Sequence, residues 1–179
     1  MSNAFLDGDR LYLRPLAADD LDRCLKWIND PDLLQYLGRK TPMSREMEQE
    51  WLAKQYKDER HTNLAIVLKD GDRHIGNCGL DSADFINSNA SFGIFIGEAD
   101  AREQGYGTEA AKLLLAYGFN ELNLHRIHLT VFSFNQRARK AYEKVGFVLE
   151  GTRREDYYRH GQYHDTLIMG ILKSEWETQ

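Results

Sequence analysis

The 179-residue sequence is poor in cysteine and proline and has no long run of apolar residues. Its two cysteines, Cys24 and Cys78, are too few for a disulfide framework, so we expect a protein of the reducing cytoplasm. The apolar runs are too short to span a bilayer, and the N-terminal segment lacks the basic and apolar regions of a signal peptide. These absences predict a protein that has neither a membrane anchor nor a secretion signal.

Basic residues are not in excess either, because 28 aspartates and glutamates outnumber 23 lysines and arginines. The net charge of −5 argues against a nucleic-acid-binding protein and mildly favours a cationic partner. The sequence contains no internal repeat and no low-complexity segment. At this length we expect one domain over residues 1–179 with a sizeable hydrophobic core.

Hydrophobic periodicity predicts the element order β-α-α-β-β-β-α-β-α-β-β. Consecutive strands imply antiparallel pairing, and the later strand–helix–strand order implies one parallel step. The expected fold is α+β, a mixed and mostly antiparallel sheet of about seven strands flanked by about four helices. The predicted strands cover residues 10–16, 63–69, 73–81, 89–97, 126–132, 148–154 and 163–172. The predicted helices cover about 21–28, 44–58, 106–121 and 136–145.

Two glycines, Gly105 and Gly107, stand where the third helix must begin, although Ser, Thr, Asp or Asn usually occupies a helix start. They could merely shape a turn. They could also form a dinucleotide-binding turn, since "GYGTEA" fits G-x-G-x-x-A. However, the preceding strand ends near Ile96, too far away for such a turn, and the strand that follows the helix lacks the acidic residue that binds a ribose. A P-loop pattern is absent.

A third interpretation is a diphosphate held by the backbone amides of residues 103–108. Unpaired N–H groups and the helix dipole both favour an anion at a helix N-terminus. Side chains would obstruct that approach, which explains the glycines. Arg102 would add a cation beside the anion.

Two sequence blocks resemble the GNAT superfamily of acyl-CoA-dependent N-acyltransferases. "REQGYG" at 102–107 matches the R/Q-x-x-G-x-G/A signature, and "FNQRARKAYEKVGF" at 134–147 resembles the N-x-x-A-x-x-x-Y-E-K-x-G-F segment. The predicted element order agrees with that fold. The tail at 148–172 is similar to the branch that includes ribosomal-protein N-acetyltransferases and spermidine acetyltransferases, and "IGEADAREQGYGTEA" is typical of the ribosomal-protein group.

The resemblance implies that the fourth and fifth strands splay apart and that the pantetheine arm of acetyl-CoA pairs with the fourth strand near Phe95 and Ile96. Arg137, with Arg139 or Lys140 behind it, would meet the adenosine 3′-phosphate, unless this charge cluster only faces solvent. The expected cofactor-binding residues are Phe95, Ile96, Arg102, Glu103, Gln104, Gly105, Tyr106, Gly107, Thr108, Asn135, Arg137, Arg139 and Tyr142.

Two residues of the second block are expected to be catalytic. Tyr142 lies on the apolar side of the last helix, and by itself its position favours a core tyrosine. By the resemblance, Tyr142 protonates the leaving thiol. Asn135 caps that helix and, by the resemblance, hydrogen-bonds the cofactor or the reacting region. The base stays open among four carboxylates, each of which also fits an ordinary surface position: Glu98, Asp84, Glu50 and Asp165.

The expected function is acetyl-CoA-dependent N-acetylation of a primary amine by direct transfer in a ternary complex, since neither cysteine is placed to carry an acyl group. A protein N-terminal amine is favoured by the branch resemblance; a polyamine, an amino sugar or an antibiotic amine remains open. A catalytically silent acyl-CoA sensor and a nucleotide-dependent oxidoreductase are the alternatives. The histidine pairs 125/128 and 160/164 lack a third ligand, so we expect no metal. Dimers are common among similar proteins, so the resemblance is compatible with a homodimer.

Overall fold

The computed structural model describes residues 4–55 and 57–178. Its strands form a single eight-stranded sheet in the order β1-β2-β3-β4-β5-β6-β8-β7. Neighbouring strands are antiparallel except for β5 and β6, which are parallel. The strands are β1 (Leu6–Asp7), β2 (Leu11–Pro15), β3 (Thr62–Leu68), β4 (Arg73–Asp84), β5 (Asn89–Ile96), β6 (Arg126–Phe132), β7 (Val148–Arg159) and β8 (Gln162–Leu172).

Six α-helices accompany this sheet in the described ranges. They are α1 (Leu21–Ile28), α2 (Pro31–Leu37), α3 (Arg45–Lys54), α4 (Tyr106–Asn120), α5 (Gln136–Lys144) and α6 (Lys173–Trp176). None of the helices in these ranges is long and apolar enough to cross a membrane. The predicted fold class, a mixed and mostly antiparallel sheet with flanking helices, is confirmed.

The helix α2 is the main element that the sequence prediction missed. The first helix was predicted to end at residue 28, and it does, but the segment Asn29–Pro31 that follows it also starts the next helix. The Asp30 carboxylate accepts the N–H of Asp32 at 2.9 Å, and Pro31 occupies the first turn, where its missing N–H has no cost. Gly38, with φ of 73°, ends the helix after two turns. A short strand, β1, also precedes the predicted opening strand.

Helices cover both faces of the sheet. The larger core lies under α4 and α5 and includes Leu114, Phe119 and Val145 with inward-facing residues from β2 to β8. The smaller core packs Cys24 of α1 and Leu52 of α3 against β2 and β3 on the opposite face. The face of the sheet that carries α4 and α5 is called the α4 face, and the opposite face is called the α1 face.

A buried ion pair on the α1 face attaches α1 to the sheet. The Asp20 carboxylate accepts two hydrogen bonds from Arg14, at 2.7 and 2.8 Å, and lies 3.0 Å from Nδ1 of His74. Burial by itself would raise the pKa of Asp20, but hydrogen bonds from Arg14, His74 and the Ala17 amide outweigh it and lower the pKa strongly. The Asp20 carboxylate is therefore ionised in the folded protein at neutral and mildly acidic pH.

We expect Asp20→Asn to lower the free energy of unfolding at pH 7 by about 3 to 5 kcal/mol, because it leaves the buried His74 and the partly buried Arg14 without their carboxylate. The folded-state pKa lies below the unfolded value of about 3.9, so the contribution is complete above that pH and is lost as the pH falls. Urea unfolding at pH 7 and at pH 3 measures this, with the exposed Asp19→Asn as control. An equal wild-type-to-variant difference at both pH values would contradict the assignment.

Candidate active site

A gap opens between β5 and β6 in the middle of the sheet. These parallel strands pair only at Asn89 with Arg126, Ala90 with Ile127 and Ser91 with His128. Beyond Ser91, β5 continues to Ile96 paired with β4 alone. The predicted splay of these two strands is therefore present, and it joins the two faces of the sheet.

The edge of β5 along this gap carries backbone groups that face no strand. The Gly97 N–H donates to the Ile75 carbonyl at 2.8 Å, so odd-numbered residues of β5 direct their N–H and C=O groups toward β4, since these directions alternate along a strand. Those of Ile94 and Ile96 point into the gap. The backbone groups of Phe95 thus face β4 and cannot make the predicted contact, whereas those of Ile94 and Ile96 are directed into the gap.

The loop before α4 presents a run of unpaired amides. None of the N–H groups of residues 103–108 has a hydrogen-bond acceptor within the described chain. Glu103, with φ of 64°, and Gly105, with φ of 83°, adopt the left-handed conformation that turns successive N–H groups toward one side. A Cβ at Gly107 would meet only Ile96 Cγ1, at 3.8 Å. The loop and the first turn of α4 therefore have the geometry of an anion-binding nest.

Arg102 has a different place from the one expected. Its Nε donates to the Ile96 carbonyl at 3.1 Å and its Nη2 to the Gly97 carbonyl at 2.8 Å. Its own N–H is bound to the Ala99 carbonyl, so it is not part of the nest. This corrects the predicted role of Arg102: it fixes the loop to the end of β5 and does not extend a free cation toward the nest.

The sequence reasoning overlooked Arg10, which supplies a cation to this loop. Its Nη1 donates to the Gln104 carbonyl at 3.0 Å, and its guanidinium lies 4.6 Å from the centre of the Tyr106 ring. Glu109, in the first turn of α4, holds Arg10 through its Nε at 2.9 Å. Arg10 lies about a hundred residues away in sequence, so only the fold brings it here.

Helix α5 carries the second sequence block. Asn135 caps it, because its Oδ1 accepts the Ala138 N–H at 3.2 Å, which leaves its amide nitrogen uncommitted. Tyr142 is half-buried on the α4 face, with its ring 6.1 Å from Phe92 of β5 and 5.9 Å from Phe147. Its hydroxyl has no hydrogen bond to the described residues, and burial raises the pKa of Tyr142 to about 12. The phenol therefore keeps its proton at neutral pH.

The basic residues of α5 are mostly engaged at the surface. Arg137 lies 3.5 Å from Glu103 of the nest loop and 5.9 Å from the Tyr36 ring of α2. Arg139 pairs with Glu143 on the same helix at 2.9 Å, and Lys140 is exposed. Of these, Arg137 is the one that the structure brings to the loop.

The comparisons with known proteins agree with this geometry. The sequence model of the acetyltransferase (GNAT) domain matches residues 10–148. The chain belongs to the GNAT acetyltransferase family. It is therefore an acyltransferase, and acetyl-CoA is its co-substrate.

Several relatives of this GNAT acetyltransferase have names that specify a substrate. A spermidine N(1)-acetyltransferase of Vibrio cholerae is 30% identical over 170 residues, which cover 94% of this chain and 96% of that protein. YdaF of Bacillus subtilis, whose name proposes a ribosomal N-acetyltransferase, is 34% identical over 113 residues, 63% of this chain and 61% of its own. A crystal structure of spermidine N-acetyltransferase from Vibrio cholerae with CoA and spermine superposes with a TM-score of 0.88 at 28% identity, over 94% of this chain and 98% of that one.

An aromatic cluster lies beyond the gap on the α1 face and was not predicted. Phe132 stacks on Tyr157 at 4.0 Å, and Phe134 lies 4.8 Å from His164 and 6.2 Å from Tyr36. Lys40 stands over the Tyr157 ring at 5.1 Å. A cavity of about 250 Å³ adjoins this cluster and is lined by Gln35, Phe134, Arg159, His160, Gln162 and His164. No sequence spacing links these residues, because α2, β6 and the β7–β8 hairpin contribute them separately.

None of the four carboxylates considered as bases is free in the gap. Glu98 accepts a hydrogen bond from Trp27 at 3.0 Å and lies 3.2 Å from Arg73; although burial opposes it, these contacts lower the pKa of Glu98. Asp84 caps the turn between β4 and β5. Glu50 pairs with Lys54 on the exposed side of α3, and Asp165 accepts the Glu155 N–H at 2.9 Å.

Proposed function

We propose that the protein transfers the acetyl group of acetyl-CoA directly to a primary amine in a ternary complex formed across the β5–β6 gap. Bound acetyl-CoA supplies a thioester, whose carbonyl carbon is the electrophile. The residues of the chain do the rest: they bind the cofactor, position it in the gap and donate a proton to the leaving sulfur. The observation that carries this proposal is the run of unpaired amides at residues 103–108 beside an open strand edge.

The residues present fit coenzyme A. The nest of amides, at the positive end of the α4 dipole, suits the diphosphate. The N–H and C=O of Ile94 and the N–H of Ile96 suit the amide groups of pantetheine, which pair as an added strand would; the Ile96 carbonyl is held by Arg102. Arg137 is the cation available to the 3′-phosphate, and Asn135 Nδ2 is a free donor near the reacting end.

Tyr142 serves as the acid. Its neutral hydroxyl lies in the apolar environment of Phe92 and Phe147 and has no competing partner in the described chain. A protonated phenol in this place can give its proton to the sulfur as the C–S bond breaks.

Thiol release from acetyl-CoA in the presence of a panel of amines tests this function. We expect turnover with at least one amine and a stoichiometric loss of thioester. Tight binding of CoA without turnover on any amine would instead favour the acyl-CoA sensor.

We place the acceptor in the cavity beside the aromatic cluster, across the gap from Tyr142, and the charge of this cavity favours an acceptor with a single ammonium, such as a protein N-terminal amine, over a polyamine. The described residues that line it include Arg159 and two histidines but no carboxylate. Lys40 and Arg137 already occupy the faces of two rings of the aromatic cluster. A polycation would therefore meet like charge among the residues that line this cavity. The names of the spermidine N-acetyltransferases described above point to the alternative, a polyamine acceptor.

We expect a short peptide with a free N-terminus to have a kcat/KM at least about tenfold above that of spermidine, which corresponds to about 1.4 kcal/mol. Arg159→Gln should narrow this difference, whereas the exposed Arg154→Gln should not. A wild-type preference for spermidine would contradict the proposed acceptor class while leaving acetyl transfer intact.

A further inference from the structure

His128 lies at the closed end of the β5–β6 gap. It is paired with Ser91 of β5, and this is the last pair before the two strands separate. Neighbouring strands of a sheet lie about 4.8 Å apart, so the His128 side chain starts next to the point where β5 and β6 separate.

The imidazole points to the α1 face of the sheet, opposite to Tyr142. Side chains alternate along a strand, and Ile127 and Leu129 of β6 pack into the core on the α4 face. His128 and Thr130 therefore face the other side. That side is open at the gap, because Thr130 is exposed and a Cβ placed on Gly93 of β5 would meet no atom within 4 Å.

The ring is free to accept a proton. Its Nδ1 is buried without a hydrogen-bond partner, and neither ring nitrogen bonds to any described residue. Burial, and next the charge of Arg126, lower the pKa of His128, while Glu150 opposes them. Arg126 and Glu150 are joined in an ion pair, and the other positions that face the ring, Ser91 on β5 and Gly170 on β8, do not titrate. The imidazole is thus neutral at pH 7.

We propose that His128 is the general base of the acetyl transfer, which receives a proton from the acceptor ammonium on the α1 face of the gap. This inference rests on the proposed function. An N-terminal α-amine has a pKa of about 7.7 to 8.0 and a polyamine amine one of about 10.4, so either acceptor is mostly protonated at pH 7. A base in this place accepts the proton that must leave the nitrogen as the C–N bond forms.

Two residues on opposite faces of the sheet, His128 and Tyr142, account for all the protons that move in the reaction. His128 takes one proton from the ammonium, and the nitrogen lone pair forms the C–N bond as the C–S bond breaks. Tyr142 gives its proton to the departing sulfur. The second proton lost by the nitrogen restores the Tyr142 phenol, and His128 releases its proton to solvent.

The test compares His128→Gln with the control His125→Gln, an exposed histidine three residues away. Thiol release is measured from pH 5.5 to 9 with a free-N-terminus peptide and with spermidine, and CoA affinity is measured by calorimetry. We expect His128→Gln to lower kcat by about 10²-fold or more, within the range of general base catalysis, and to leave the KM for acetyl-CoA within about twofold.

The pH profile separates a base from a structural residue. The pKa of His128 lies below the ordinary histidine value of about 6.5, so the wild type and His125→Gln should lose activity only at a pH below that value and show a plateau above it. With spermidine as acceptor, the log rate of His128→Gln should instead keep rising to pH 9. Should the Gln variant fail to bind CoA, His128→Asn takes its place. Unchanged kcat, or a wild-type-shaped pH profile in a CoA-binding variant, overturns the inference alone. A wild type that binds CoA but acetylates no amine overturns both it and the proposed function.

Discussion

Tyr142→Phe is expected to lower kcat by at least tenfold and by up to about 10⁴-fold, the range that general acid catalysis contributes. The variant removes only a hydroxyl that has no hydrogen bond within the described chain, so the packing against Phe92 and Phe147 should persist. The KM for acetyl-CoA should hardly change, because the phenol acts on the leaving sulfur and not on the nucleotide. Steady-state thiol release with the best acceptor measures both constants.

Tyr117→Phe provides the matched control for this substitution. Tyr117 is a half-buried tyrosine of α4 whose ring packs against Phe5 at 5.2 Å, remote from the gap. Because the pKa of Tyr142 is about 12, the wild-type rate should show no decline from phenol ionisation below about pH 10. Wild-type turnover in Tyr142→Phe would exclude the acid role.

Gly107→Ala should weaken CoA binding by about tenfold or more while leaving the fold intact. The added methyl group meets only Ile96, at an ordinary contact distance of 3.8 Å, so the helix accepts it. Alanine in a helix is favoured over glycine by up to about 1 kcal/mol, so the melting temperature should hold or rise. The methyl group nevertheless stands among the N–H groups that the diphosphate must approach. Calorimetry measures the affinity for CoA, and a thermal melt measures the melting temperature.

A lower CoA affinity together with an unchanged or higher melting temperature distinguishes a binding defect from misfolding. Lys112→Ala, an exposed position one turn further along α4, should change neither. Gly105 is the poorer test, because its φ of 83° makes any side chain strained whether or not a ligand binds. Undiminished CoA affinity in a stable Gly107→Ala would place the diphosphate elsewhere.

Much of the fold was predictable because local signals and tertiary packing agree there. β6 was predicted at 126–132 and occupies those residues, and α5, predicted to end near residue 145, ends at Lys144 shortly before Gly146 with its φ of 99°. α2 was missed because Asp30-Pro31 is at once a good stop for one helix and a good start for the next. Trp27, fully buried on α1, was not among the residues that the sequence analysis singled out.

In the candidate site, too, the residues of contiguous motifs were predictable, whereas the residues that only the fold brings together were not. The nest at 103–108, Asn135 and Tyr142 belong to contiguous motifs and could be named from sequence. The backbone direction that replaces Phe95 by Ile94 depends on strand register, and the engagement of Arg102 with the end of β5 depends on loop geometry. The aromatic cluster and His128 come together only through the sheet, so no local pattern could reveal them.

The binding of coenzyme A by the amides before α4 can be observed directly in a titration of ¹⁵N-labelled protein with CoA. Gly105 and Gly107 are the two reporters, and Gly71 and Gly161, in distant turns, are the references. The account predicts saturable shifts of the Gly105 and Gly107 amide protons, with the references unmoved. Saturation with CoA that leaves both reporters in place, or no saturation at all, would contradict it.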